Sequence, residues 1–341
     1  MSKKIRGYFY FILSIIVSIF LIWYLLSRIE FKDLKETLAN IYLPGLYLYI
    51  IFALTGSVFR AWRYKFLLKP EPIGWGNIFM VTFIRNLFVD LLPARIGSLS
   101  YIYILNKRLK FTFEIATSTF LIAVIFDFIT LSPILILAIF IVGFSQTVIP
   151  VSTLLIIALI FFVIVYLVLL RLEVVTSLLT RILEVLLKSF KLREKEWAET
   201  IIRKLNLTVD SLIDIKARKI YWPVFFMSLL IRLAKYGALF FLLHALLVSH
   251  GFLLGDLSFA KIILGVTGAE LSSALPVKGI AGFGTWESAW ALSFKLMGFD
   301  PRLAIISGFG LHLITQIFEY SLGILSIIIL ALPIIKRKKV V

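Results

Sequence analysis

Long apolar runs, two of them broken in the middle, constrain this chain more than any other feature. The runs at residues 7–27, 43–61, 113–142, 149–170, 219–249 and 303–334 each hold about 20 residues or more, or nearly so. That is the length an α-helix needs to cross a hydrocarbon core about 30 Å thick. Soluble chains do not carry so many such runs. Here 61% of the residues are hydrophobic and 16% charged, against roughly 45–50% and about 25% in soluble domains. Two further apolar regions, residues 76–106 and 257–298, are interrupted midway by Pro, Gly and charge. The first contains Leu92-Pro93-Ala94-Arg95-Ile96-Gly97-Ser98. The second contains Leu275-Pro276-Val277-Lys278-Gly279 and continues to Gly282-Phe283-Gly284. The halves on either side are too short or too polar to span. Both regions read as helical hairpins that enter and leave on the same face. The expected fold is an all-α polytopic membrane protein with six full transmembrane helices and two re-entrant hairpins.

Charge placement tests this layout. The net charge is +17, and the cations sit in loops beside apolar runs. With the N-terminus cytoplasmic, 25 Lys and Arg fall in the inside segments and 4 in the outside loops, as the positive-inside rule requires. Treating either hairpin as a single crossing would swap the later loops and weaken the bias. The expected location is therefore the cell membrane, multi-pass, with both termini cytoplasmic. The first run follows Lys3, Lys4 and Arg6 and lacks a small-residue cleavage site, so it reads as a retained helix. The first hairpin then enters from the cytoplasm and the second from outside. Two spans, a hairpin and one span recur with opposite orientation, which is the signature of an inverted-topology repeat. Residues 1–142 make the first repeat, and 143–171 with 219–341 the second. Between them, residues 172–218 alternate Leu, Ile and Val with Lys, Arg and Glu, as a cytoplasmic amphipathic linker would.

Other classes find little support. No basic stripe with interleaved aromatics lies in a soluble segment, so nucleic acid is not an expected partner. The chain has no Cys, hence no disulfide or thiolate metal site. His244, His250 and His312 are scattered, and neither H-E-x-x-H, a nucleotide-binding G-x-x-x-x-G-K-[ST] loop nor G-x-S-x-G occurs. No metal and no cofactor are expected.

A charge at membrane depth costs about 2.5–3.5 kcal/mol on insertion scales, so those retained there either pair with one another or line a pathway. The first hairpin holds Arg85, Asn86, Asp90 and Arg95, and the second Glu270, Lys278 and Glu287. The spans add Asp127, Arg232, Lys235, His312 and Glu319. Arg85 with Asp90 reads equally well as an internal ion pair, and Asp127 and Glu319 read equally well as members of internal ion pairs. A broken helix leaves free backbone groups that are tolerated only inside protein or along a cavity, and helix N-termini attract anions. Pro93, Gly97 and Ser98 at one break, and Pro276, Gly282 and Gly284 at the other, mark candidate tips. Arg95 and Lys278 add positive charge beside them. The field there suits a phosphate or carboxylate.

The run from Asn86 to Leu105 and the run from Pro276 to Glu287, with its Gly282-Phe283-Gly284-Thr285-Trp286-Glu287, resemble the two motifs of the lysylphosphatidylglycerol synthase transmembrane-region family, also called flippase-like membrane domains. The resemblance covers nearly the whole chain. Where the family's first motif usually carries Glu after the Gly, this chain has Ser98, so an acid role there is not carried over. The second-motif Glu matches as Glu287. The resemblance implies lipid translocation between leaflets. Bifunctional members continue into a soluble aminoacyl-transferase, whereas this sequence ends at Lys336-Arg337-Lys338-Lys339-Val340-Val341, so a stand-alone member without lysyl transfer is expected.

The leading expectation is a flippase or lipid transporter for an anionic-headgroup amphiphile. Arg95 and Lys278 would hold the phosphate, Glu270 and Glu287 would meet a cationic or sugar group, and Arg232 and Lys235 would line the route. Membrane lipids are the expected partners. A homo-oligomer and a separate lipid-modifying enzyme stay open. The alternatives are a membrane-embedded transferase or hydrolase acting on a lipid-linked phosphate or glycan, and a non-catalytic scaffold.

Overall fold

The computed structural model describes residues 3–142, 151–272 and 279–331. Among them every regular element is helical: α1 (Lys3–Leu26), α2 (Phe31–Ala39), α3 (Leu43–Leu67), α4 (Trp75–Leu91), α5 (Ser100–Lys107), α6 (Phe113–Val142), α7 (Val151–Leu170), α8 (Leu172–Ser189), α9 (Glu196–Ala217), α10 (Tyr221–Leu247), α11 (Phe259–Ser272), α12 (Thr285–Leu296) and α13 (Pro301–Ala331). Two 3₁₀ turns matter for the site, Pro93–Leu99 and Ile280–Gly282.

Among the described residues, four helices are long and apolar enough to cross a membrane: α3, α6, α13, and α10 with its continuation to His250. A fifth candidate runs through the end of α7 and into α8, with a bend of 83° between them. The sequence leads one to expect six spans. α1 is a helix of 24 residues, but the apolar stretch described within it is only Ile15–Leu26. The chain is thus a membrane protein with several apolar helices.

Both interrupted regions break where the sequence places Pro and Gly. Leu92 is extended (φ −100°, ψ 143°) and α4 stops just before it, because a residue preceding Pro is steered out of the helical region. A 3₁₀ turn follows, and α5 packs back against α4. Gly97 belongs to that fold-back: a Cβ there would collide with the main-chain carbonyl of Phe88. In the second region α11 is described as far as Ser272, and residues 273–278, Pro276 among them, lie outside the described set. The chain resumes through Ala281, Gly282 and Gly284, all at positive φ, and α12 begins at Thr285. Ser18 of α1 ties this turn down. Its Oγ accepts from the Ile280 N–H at 2.7 Å and donates to the Phe283 carbonyl at 3.1 Å.

The most extensive helix pair is α3 with α10. Gly45 lies against Ala245, and Gly237 against Phe52, the small-residue contact that lets membrane helices approach closely. Around this pair the packing is reciprocal. α4, from the first broken region, lies on α13, while α11, from the second, lies on α6. The turn at 93–99 touches the turn at 280–282, so the two breaks meet.

Residues 172–217 form two helices packed on each other. On α8 the face holding Leu172, Thr176, Thr180 and Leu187 is buried. Leu178, Leu179, Ile182 and Val185 are exposed on another face, and Glu173, Arg181, Glu184 and Lys188 fall between the two by helical spacing. α9 carries the Ser211 Oγ to within 2.7 Å of the Ser118 Oγ on α6.

Candidate functional site

Where the two breaks meet, α3, α4, α6, α10, α11 and α13 enclose a cavity of about 520 Å³. Its wall holds four cations, Arg60, Arg85, Arg232 and Lys235, and four carboxyl groups, Asp90, Asp127, Glu270 and Glu319. Helical spacing explains how so few helices deliver so many polar groups. Arg60 and Arg63 stand three apart on α3. Arg232 and Lys235 stand three apart on α10. His312, Gln316 and Glu319 follow the i, i+4, i+7 pattern of one face of α13.

Most of these groups are paired. Arg63 is fully buried, and its guanidinium donates to Asp127 Oδ1 at 2.5 Å and to the Ser228 hydroxyl at 2.7 Å. The Arg232 guanidinium donates to the main-chain carbonyl of Asp127 at 2.6 Å. α3, α6 and α10 are thereby locked together around one acidic residue. Lys235 forms a close ion pair with Glu270, and Arg232 lies 3.8 Å from the same carboxylate, joining α10 to α11. Asp90 on α4 and Glu319 on α13 both line the wall, on helices that pack together.

A second cluster stands at the start of α12. Glu287 is fully buried. Its Oε2 accepts from the Gly284 N–H at 2.8 Å, and its Oε1 lies 2.6 Å from His312 Nδ1. With Nδ1–H given to the carboxylate, Nε2 is left to accept from the Gln316 amide, 2.9 Å away. The Trp286 ring stacks on the imidazole with its centroid 5.0 Å away, and the Phe283 ring lies tilted against it at 4.5 Å. His312, Gln316 and Trp286 face the cavity. Among the described residues, the Oε1 of Gln316 is buried with no hydrogen-bond partner.

The remaining two cations are different. Arg60 donates to Asn86 Oδ1 at 2.6 Å, and Arg85 reaches the same oxygen at 3.3 Å. Among the described residues, no carboxylate oxygen lies within 4.0 Å of either guanidinium.

Of the residues expected from the sequence, Arg85, Asn86, Asp90, Ser98, Arg232, Lys235, Glu270 and Gly282 line the cavity. Gly97 is buried against α4 and is not part of the wall. Gly284 and Glu287 stand behind the wall, where they fix α12 and the His312 ring. Arg85 meets Asn86 rather than Asp90, and Asp127 stands in an internal ion pair with Arg63. Pro276 and Lys278 lie outside the described residues, as do the side chains of Pro93 and Arg95. Arg60 and Arg63 escaped the sequence reading, which took residues 60–76, at the end of the run 43–61, as a basic inside loop. α3 continues to Leu67. The signal was present in Arg60, Arg63, Tyr64 and Leu67, which follow helical periodicity. Gln316 was also missed, although it sits four residues after His312 and three before Glu319.

An apolar groove of about 310 Å³ adjoins the cavity between α3 and α13. It is lined by Leu46, Ile50, Ile314 and Ile317, with Ser321. It shares Tyr49, Phe318 and Leu322 with the polar cavity. Among the described residues, no group of three or more His, Asp or Glu side chains is placed to hold a metal ion.

Comparison with curated proteins returns no match. The profile of one family, the lysylphosphatidylglycerol synthase TM region, matches residues 11–323, nearly the entire length and both broken regions. The chain belongs to the lysylphosphatidylglycerol synthase transmembrane-region family.

Proposed function

We propose that this protein moves a lipid between leaflets, holding the headgroup in the polar cavity and the acyl chains in the groove between α3 and α13. The observation that carries this reading is the shared wall: Tyr49, Phe318 and Leu322 border both the charged cavity and the apolar groove. An amphiphile needs both environments side by side. A soluble ion or sugar needs only the first. Family membership supports a lipid-related role. The expected anionic headgroup fits a wall that carries cations at membrane depth, where an unmatched charge is costly.

The two broken regions act as re-entrant hairpins in this account, and the halves of the chain are inverted repeats. Support comes from the reciprocal packing of α4 on α13 and α11 on α6 about the central α3–α10 pair. Alternating access then follows from rocking one half against the other. α8, turned 83° from α7, lies along the cytoplasmic surface of the cell membrane with its apolar face in the acyl region.

The test is leaflet exchange. The purified chain is reconstituted into liposomes holding a fluorescent phospholipid, and bleaching of the outer leaflet is followed. Faster loss of protected signal than in empty liposomes is expected. Ser321→Trp, which fills the groove, should slow it severalfold. Exchange no faster than in empty liposomes refutes transport.

One observation favours a second reading. His312 faces the cavity with its Nδ1 held by a buried carboxylate, the arrangement of an oriented general base. A membrane-embedded transferase or hydrolase would convert lipid, and mass spectrometry of the liposome extract separates that from transport.

A further inference from the structure

We infer that Arg60, Arg85 and Asn86 form a subsite for a phosphomonoester, the terminal dianionic phosphate of a lipid. The inference deepens the transport reading and rests on it. Each guanidinium offers five N–H donors and accepts nothing, yet both converge on the single neutral oxygen Asn86 Oδ1. Among the described residues, the Nε of Arg60 and the Nε of Arg85 are buried with no hydrogen-bond partner. All three residues face the cavity.

Two of the wall's acids are engaged elsewhere, Asp127 by Arg63 and Glu270 by Lys235 and Arg232. Among the described residues, neither Asp90 nor Glu319 comes within 4.0 Å of the Arg60 or Arg85 guanidinium. Two like charges crowded on one neutral acceptor, inside a membrane protein, repel strongly. An anion between them reverses the sign of that interaction.

The charge of the anion discriminates among candidates. A carboxylate or a phosphodiester brings a single negative charge and leaves one guanidinium unmatched. A phosphomonoester brings about −1.5 to −2 charges at pH 7 and three free oxygens. Three oxygens allow each planar guanidinium a two-point contact. The shared chemistry is the phosphomonoester group, which a lipid phosphate or free inorganic phosphate can supply.

The experiment uses the full chain in detergent at pH 7.5 and measures binding of four probes. These are dioctanoyl phosphatidate, dioctanoyl phosphatidylglycerol, dioctanoylglycerol and inorganic phosphate. Phosphatidate should bind about tenfold or more tightly than phosphatidylglycerol, the change expected for one charged hydrogen-bond set, and dioctanoylglycerol least. Arg60→Gln and Arg85→Gln should each erase that preference while still binding phosphatidylglycerol. Equal affinity for phosphatidate and phosphatidylglycerol overturns the subsite and leaves the transport reading standing. A preference that persists in both variants overturns the residue assignment. If no amphiphile binds, the transport reading falls with it. Inorganic phosphate competing as well as phosphatidate supports the oxyanion subsite and overturns a lipid source. Should Arg60→Gln fail to fold, the wild-type ranking and Arg85→Gln decide.

Discussion

Arg63 and Asp127 meet at 2.5 Å with Arg63 removed from solvent, and Ser228 takes a second N–H of the same guanidinium. A buried ion pair of this kind adds little net stability, but removing one partner strands the other and costs roughly 3–5 kcal/mol. Asp127→Asn should therefore lower the unfolding midpoint in detergent sharply. Arg63→Met with Asp127→Leu should recover most of the loss. A neutral effect of Asp127→Asn would remove the pair from its structural role. At this scale the sequence was informative wherever a charge interrupts an apolar run. Asp127, Arg232, Lys235, Glu270, His312 and Glu319 stand out because each sits among residues that belong in lipid or core. Their pairing was not legible, since it depends on which helices touch. Arg60 and Arg63 were hidden by position. Four cations within Arg60–Lys69 read as a loop, and only the helix continuing to Leu67 turns two of them inward.

The break between α4 and α5 positions Asn86, Asp90 and Ser98 on the cavity wall. Its geometry depends on Gly97, which touches the Phe88 carbonyl where no side chain fits. Gly97→Ala must push the turn away from α4. Overpacking of this kind costs about 1–3 kcal/mol, and the displaced wall should also weaken lipid binding. Thermal unfolding with and without dioctanoyl phosphatidate checks both effects. An unchanged midpoint with unchanged lipid stabilisation would show that the turn has room. The existence of both breaks was legible, because Pro and Gly inside an apolar region are strong punctuation. Their exact form was not. The first break is a 3₁₀ turn of seven residues. The second is fastened by Ser18 on α1, a contact between residues more than 260 positions apart that no local pattern encodes. The amphipathic character of residues 172–218 was legible from their alternation of apolar and charged residues, whereas the division into two helices and the 83° turn out of α7 were not.

Across the whole molecule, the two broken regions, far apart in sequence, come together turn against turn. The cavity is the consequence. Backbone that leaves helical geometry inside a membrane protein needs polar company, and here that company is a charged wall beside an apolar groove. The groove itself was invisible in the sequence, since Leu46, Ile50, Ile314 and Ile317 look like any lipid-facing residues until α3 and α13 are set side by side. The central claim is that one lipid occupies both spaces at once. The most direct measurement is photocrosslinking of the full chain in liposomes with two versions of one phospholipid, followed by mass-spectrometric mapping of the adducts. One version carries a diazirine in the headgroup, the other in the acyl chain. The headgroup probe should mark cavity residues such as Trp286, Gln316 and Ser98, and the acyl probe should mark Leu46, Ile50 and Ile317. Adducts confined to outward-facing residues such as Ile156, Ile160 and Ile164 on α7, with both probes, would contradict the account.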